Sequence, residues 1–165
     1  MKKIILLVIL SSLVSLTLPA QERAWDEVKI CEDKPVCAVD FYLLEDILTE
    51  KHKKPKTAPL FSGGKSKLLK YFSKYKIGDS RSKDLVFRIH IAFMVNCEGR
   101  AGDFRLLDNE LEGTELKLSR QVFGLMKELP QVWKPAVYKG DKVNCYQVLS
   151  LTIMNGKIST AYYHN

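Results

Sequence analysis

Four cysteines, three histidines and one glycine-lysine-serine run are the groups in this chain with obvious chemical potential, and their spacing decides what each could do. Cys31, Cys37, Cys97 and Cys145 form an even set, which in an exported chain reads as two disulfides with three connectivities. Zinc would need ligands grouped at short spacing. Neither cysteine pair is CxxC and His52, His90 and His164 lie far apart, so no metal is expected. Gly63, Gly64, Lys65 and Ser66 invite comparison with a phosphate-binding loop, which needs a glycine five positions before Gly64 and a buried strand ahead of it. Position 59 is proline, and that reading fails. His90 falls on the polar side of an alternating run, and no spacing places a serine or cysteine beside it, so it reads as a surface histidine. Asp108, Glu110 and Glu112 precede a helical segment, where they favour its dipole. No catalytic constellation emerges, and the chain reads as a non-enzyme without a cofactor.

The elements that position these residues start from FRIHIAFMVNC at 87–97. Phe87, Ile89, Ile91, Phe93, Val95 and Cys97 fall on one side of an extended chain and Arg88, His90 and Asn96 on the other, the period of two that marks a strand. With Glu98 and Gly99 as a hairpin turn, Cys97 stands opposite Arg100, Phe104 opposite Phe93 and Leu106 opposite Ile91. The run VNCYQVLSLTI at 143–153 alternates too. Setting Cys145 opposite Cys97 aligns Leu149 with Phe93, Leu151 with Ile91 and Ile153 with Ile89. This register selects the disulfides Cys97–Cys145 and Cys31–Cys37. Between these strands, Leu118, Val122, Leu125, Met126 and Leu129 recur at helical spacing and Pro130 closes the segment. The fold class is therefore α+β: a three-stranded antiparallel sheet with helices packed on one face, and an extra C-terminal strand at KISTAYYHN after a turn at Asn155 and Gly156.

Upstream, Lys2 and Lys3 precede an uncharged run at 4–18 and then Pro19 and Ala20, the layout of a signal peptide at 1–20 cleaved before Gln21. The apolar run is shorter than the ~20 residues of a spanning helix. Loss of Lys2 and Lys3 lowers the basic count from 26 to 24 against 19 acidic residues, so the formal charge falls from +7 to +5. The basic run at 51–56 reads as a solvated linker rather than a nucleic-acid patch. Residues 21–60 thus comprise a small cysteine loop, a short helix marked by Phe41, Leu44 and Leu48, and a linker, while 61–165 form the domain. Its first helix follows a glycine turn, with Leu68, Leu69, Phe72 and Tyr75 inward.

Helix, strand, EG turn, strand, helix, WxP and final strand together resemble the C-terminal domain of TonB. FSGGKSKLLKYF at 61–72, FMVNCEGRAGDFRLL at 93–107, LPQVWKPAVYKGDKV at 129–143 and YQVLSLTI at 146–153 carry the likeness. Gly63, Gly64, Gly99, Trp133, Pro135 and Gly140 are its structural residues, with Trp133 capping the core after the helix. The resemblance implies a TonB C-terminal-like module of the periplasm that binds a protein or extended peptide of the cell envelope, an outer-membrane transporter among them. An exposed sheet edge can do this by strand addition. The expected edge is the final strand at Tyr146, Val148, Ser150 and Thr152; were the tail paired there, it would be 103–107. The rivals are a membrane-anchored energy transducer of TonB type and a secreted inhibitor or unrelated enzyme. The tyrosine-proline pair usual in the family before the central strand is replaced here by YKIGDS.

Overall fold

The computed structural model describes residues 27–78, 80–108 and 110–165. The expected signal peptide at 1–20 lies outside them. In chain order the elements are β1 (Val36–Ala38), β2 (Leu60–Phe61), α1 (Gly64–Phe72), β3 (Val86–Val95), β4 (Ala101–Leu106), α2 (Gly113–Lys127), β5 (Trp133–Lys134), β6 (Ala136–Tyr138), β7 (Asp141–Met154) and β8 (Lys157–Tyr163), with a short 3-10 turn at Ser80–Ser82. Alternation made β3 the organising strand, and Ile89, Ile91, Phe93 and Val95 are indeed fully buried on one face. Both helices pack there. Leu68 and Phe72 of α1 and Leu118, Val122 and Met126 of α2 join that core, as does Leu129, while Leu69 and Leu125 are only partly buried against it. Tyr75 lies past the end of α1 and is 37% exposed, so it is not the inward anchor its spacing suggested.

The α+β class stands, but the sheet has six strands rather than three. β3 and β7 pair antiparallel in its middle and β4 closes one side; on its other side β7 carries β6, the parallel β1 and β8 in turn. A parallel strand of three residues has no room to show a period of two, which is why β1 was not legible. The tail does form the extra strand, β8, after a two-residue turn at Asn155 and Gly156, both at positive φ.

The β3–β7 register differs from the expected one by two residues. Val95 faces Cys145, Ile91 faces Leu149, Ile89 faces Leu151 and Phe87 faces Ile153. A slip of two keeps every side chain on its face, so parity cannot detect it. The β3–β4 turn also differs. Asn96 N–H donates to the Arg100 carbonyl, which makes the loop the three residues Cys97, Glu98 and Gly99. A bulge between Ala92 and Met94, with Asp103 at φ 52°, then absorbs the extra residue and restores Ile91 opposite Leu106 as expected. Gly99 is required there: its φ is +83° and a Cβ would come within 2.2 Å of the Trp133 carbonyl oxygen. Gly63 caps α1 at φ 94°, Gly64 follows at φ 68°, Pro135 links β5 to β6, and Gly140 lies in the β6–β7 turn.

The disulfides are corrected as well. Cys31 bridges Cys97, while Cys37 and Cys145 are free and buried, facing each other across β1 and β7. The reason is β1: its parallel pairing brings Cys37 beside Cys145 and leaves Cys31 above the β3–β4 turn. Asn144, fully buried, clamps this region. Its Oδ1 accepts from the N–H groups of Cys31 (2.9 Å) and Cys97 (3.3 Å), and its Nδ2 donates to the carbonyls of Cys31 (2.9 Å) and Lys34 (3.3 Å).

β1 and the turns after it cover part of the sheet's second face, where Val39 and Leu44 meet Ala92 and Val148 in a second cluster. Residues 41–47 are turns rather than the expected regular helix. The stretch at 51–60 is docked: Lys53 accepts from Ala38 N–H, Thr57 and Val137 exchange backbone bonds, and Gln147 donates to the Pro59 carbonyl. Trp133 is 5% exposed, with its ring against those of Phe61, Phe93 and Tyr163 at centroid distances of 5.4, 4.8 and 6.4 Å.

Candidate functional site

The expected binding edge on β7 is occupied. Tyr146 faces Ala38 of β1 and accepts from Val39 N–H, Val148 accepts from His164 N–H, and Ser150 and Thr152 face Tyr162 and Thr160 of β8. Spacing alone gave no sign that one long strand would carry three short partners in succession. The backbone bond from His164 to Val148 makes 150/162 and 152/160 the bonded pairs of an antiparallel ladder, so Ala161 and Tyr163 turn their backbone groups outward. That outer edge is covered, because α1 lies against β8 and Ala161 is fully buried.

β4 is different. Arg100 accepts from Asn96 N–H and Leu107 donates to the His90 carbonyl, so the ladder directs the backbone of Ala101, of the bulge at 103–104 and of Leu106 away from β3. Ala101 N–H is taken by Gln131 Oε1 at 2.6 Å. Among the described residues no strand pairs with β4 on that side.

The polar side of the sheet holds a second arrangement. His90 of β3 and Ser150 of β7 are directly opposite, and Ser150 Oγ is 2.7 Å from His90 Nδ1. It is also 2.8 Å from Nε2 of His164, just past β8, whose Nδ1 is 2.9 Å from Asp40 Oδ2 in the turn after β1. An ionised Asp40 can only accept, so His164 Nδ1 carries a proton; with a neutral His164 its Nε2 accepts the Ser150 hydroxyl proton, and Ser150 Oγ then accepts from His90 Nδ1–H. Burial works against ionisation of Asp40, but N–H donors from Leu43 and Tyr42 together with His164 outweigh it and hold its pKa below the ordinary carboxylate value. Burial depresses the pKa of His90, against the pull of Asp108, whose carboxylate accepts the His90 backbone N–H.

His90 is therefore not a solvated surface histidine, and a serine does stand beside it. Three strands and a loop, far apart in sequence, deliver these residues. The one readable signal was that Arg88, His90, Ser150 and Thr152 share the polar parity, which becomes informative only once the β3–β7 register is known. Asp40 and His164 carried no signal. The free cysteines are shielded, and burial raises the pKa of both, with Cys37 adding to the effect at Cys145. No protein-family model, no curated protein and no solved structure matches the chain.

Proposed function

We propose that this protein is a periplasmic TonB C-terminal-like binding module that captures an extended peptide by strand addition along β4 at 103–107. The observation that carries the reading is the outer side of β4, which bears backbone donors and acceptors but no strand partner among the described residues, while β7 is paired on both sides. Extended chains bind such edges through main-chain hydrogen bonds, and alternate side chains supply specificity. The order α1, β3, β4, α2, β7, with both helices on one face of the sheet, agrees with the resemblance read from the sequence. The Cys31–Cys97 bridge suits an oxidising compartment such as the periplasm.

The test begins with peptides selected from a random display library against the folded protein, followed by hydrogen exchange with and without each binder. Protection of the outward amides at 103, 104 and 106 is expected, as is loss of binding in Leu106→Pro, which removes an outward donor. Binders that protect another surface, or a folded Leu106→Pro protein that binds unchanged, would exclude β4.

A further inference from the structure

Ser150 and its neighbours have no part in strand capture at β4, and their wiring is that of a different chemistry. We propose that Ser150 is a nucleophile for acyl transfer to and from small esters bearing an anionic group, with His164 as its general base and Asp40 as a positioning residue. The connection runs Ser150 Oγ to His164 Nε2, then His164 Nδ1 to Asp40 Oδ2, at 2.8 and 2.9 Å. This is the geometry in which an imidazole removes a hydroxyl proton while a carboxylate fixes its tautomer and stabilises the imidazolium.

The fold holds each member rigidly. Ser150 is in the middle of β7, His164 is tied by its own N–H to Val148, and Asp40 is held by the N–H groups of Tyr42 and Leu43. His90 Nδ1 lies 2.7 Å from the same Oγ and gives the hydroxyl a second hydrogen-bond partner that holds it in place.

A groove of about 350 Å³ reaches Ser150, lined also by Lys65, Arg88, Thr152, Thr160 and Tyr162. Ser150 itself is only 3% exposed, so access to Oγ from the groove is narrow and suits small acyl groups. Lys65 and Arg88 make the groove cationic; they select an anionic substituent and supply charge for a developing oxyanion. In the reaction, an Oγ lone pair forms the bond to the carbonyl carbon as the hydroxyl proton moves to His164 Nε2 and the carbonyl π pair moves onto oxygen. Collapse of the tetrahedral species breaks the bond to the leaving alcohol, which takes the proton from Nε2, and leaves acyl-Ser150 with neutral His164. Water repeats the two steps and releases the acid.

The test uses a small alkyl fluorophosphonate on the folded chain, with trypsin as a positive control in the same tube. Attack forms the Ser150 Oγ–P bond, breaks P–F, releases fluoride and passes the proton to His164. Intact mass and peptide mapping should place one phosphonyl group on Ser150 and none on Ser150→Ala. Asp40→Asn should slow labelling on the order of 10²- to 10⁴-fold and change its pH profile, and His164→Gln should be at least as slow, with folding of each variant verified by circular dichroism. Absence of an adduct on Ser150 while trypsin is fully labelled would overturn the proposal. So would labelling of folded His164→Gln at the wild-type rate.

Discussion

Replacing Asn144 by alanine should detach the N-terminal loop from the body of the sheet. The side chain is fully buried and makes four hydrogen bonds, two at 2.9 Å and two at 3.3 Å, all to the backbone around the Cys31–Cys97 bridge. At roughly 1 kcal/mol net for each short bond and ~0.5 for each long one, the direct loss is about 3 kcal/mol. Urea denaturation followed by circular dichroism reads this as a midpoint lower by roughly 1.5 to 2 M, for a slope of ~1.5–2 kcal/mol per M. The disulfide acts on the same loop, closing a 66-residue separation that is worth ~4 kcal/mol on the chain-entropy model. With Cys31 and Cys97 both changed to serine, the loop is already loosened, so the further loss from Asn144→Ala should be smaller than in the bridged protein. A loss below ~1 kcal/mol in the bridged protein, or strict additivity of the two changes, would refute this account of the clamp.

Trp133→Ala should cost about 3–5 kcal/mol, since it empties the space between Phe61, Phe93 and Tyr163; an unchanged melting temperature would place the indole outside the core. Gly99→Ala combines a positive φ with a clash against the Trp133 carbonyl and should destabilise by about 2–4 kcal/mol, measured by the same urea titration. The denatured, unreduced protein should titrate two thiols and the reduced protein four, with a Cys31–Cys97 peptide in the non-reducing map; a Cys37–Cys145 or Cys31–Cys37 peptide would contradict the structure. Stability should fall on acidification. His90 has a folded pKa below its unfolded value of about 6.5, so its contribution is complete above that pH and declines as pH drops toward the folded pKa; Asp40, depressed below about 3.9, contributes above that value and is lost as pH falls through its folded pKa. A urea midpoint that rises between pH 7 and pH 5 would reverse the sign expected for His90.

Local pattern carried much of this protein. The alternation at 87–97 made β3, the helical spacing from Leu118 to Leu129 made α2 and the Asn155–Gly156 turn made β8 an extra strand, because each depends on residues within a few positions of one another, whereas the burial of Trp133 was implied by the resemblance alone. The β3–β7 register was legible only to within two residues: parity fixes the face of a strand and is blind to an even slip, so the choice fell to packing and to the pairing of β7 with β1, β6 and β8. The same blindness misassigned the cysteines, since Cys31 meets Cys97 only through the parallel docking of three residues of β1, which have no period to read. Asp40, His90, Ser150 and His164 span 124 positions and touch only because three strands and a turn converge, so their chemistry belongs to the tertiary structure and not to any motif. From the sequence alone came the elements and their apolar faces, which follow from local periodicity; from the tertiary structure alone came the strand partners, the disulfide and the polar relay, which depend on long-range contacts that periodicity does not encode.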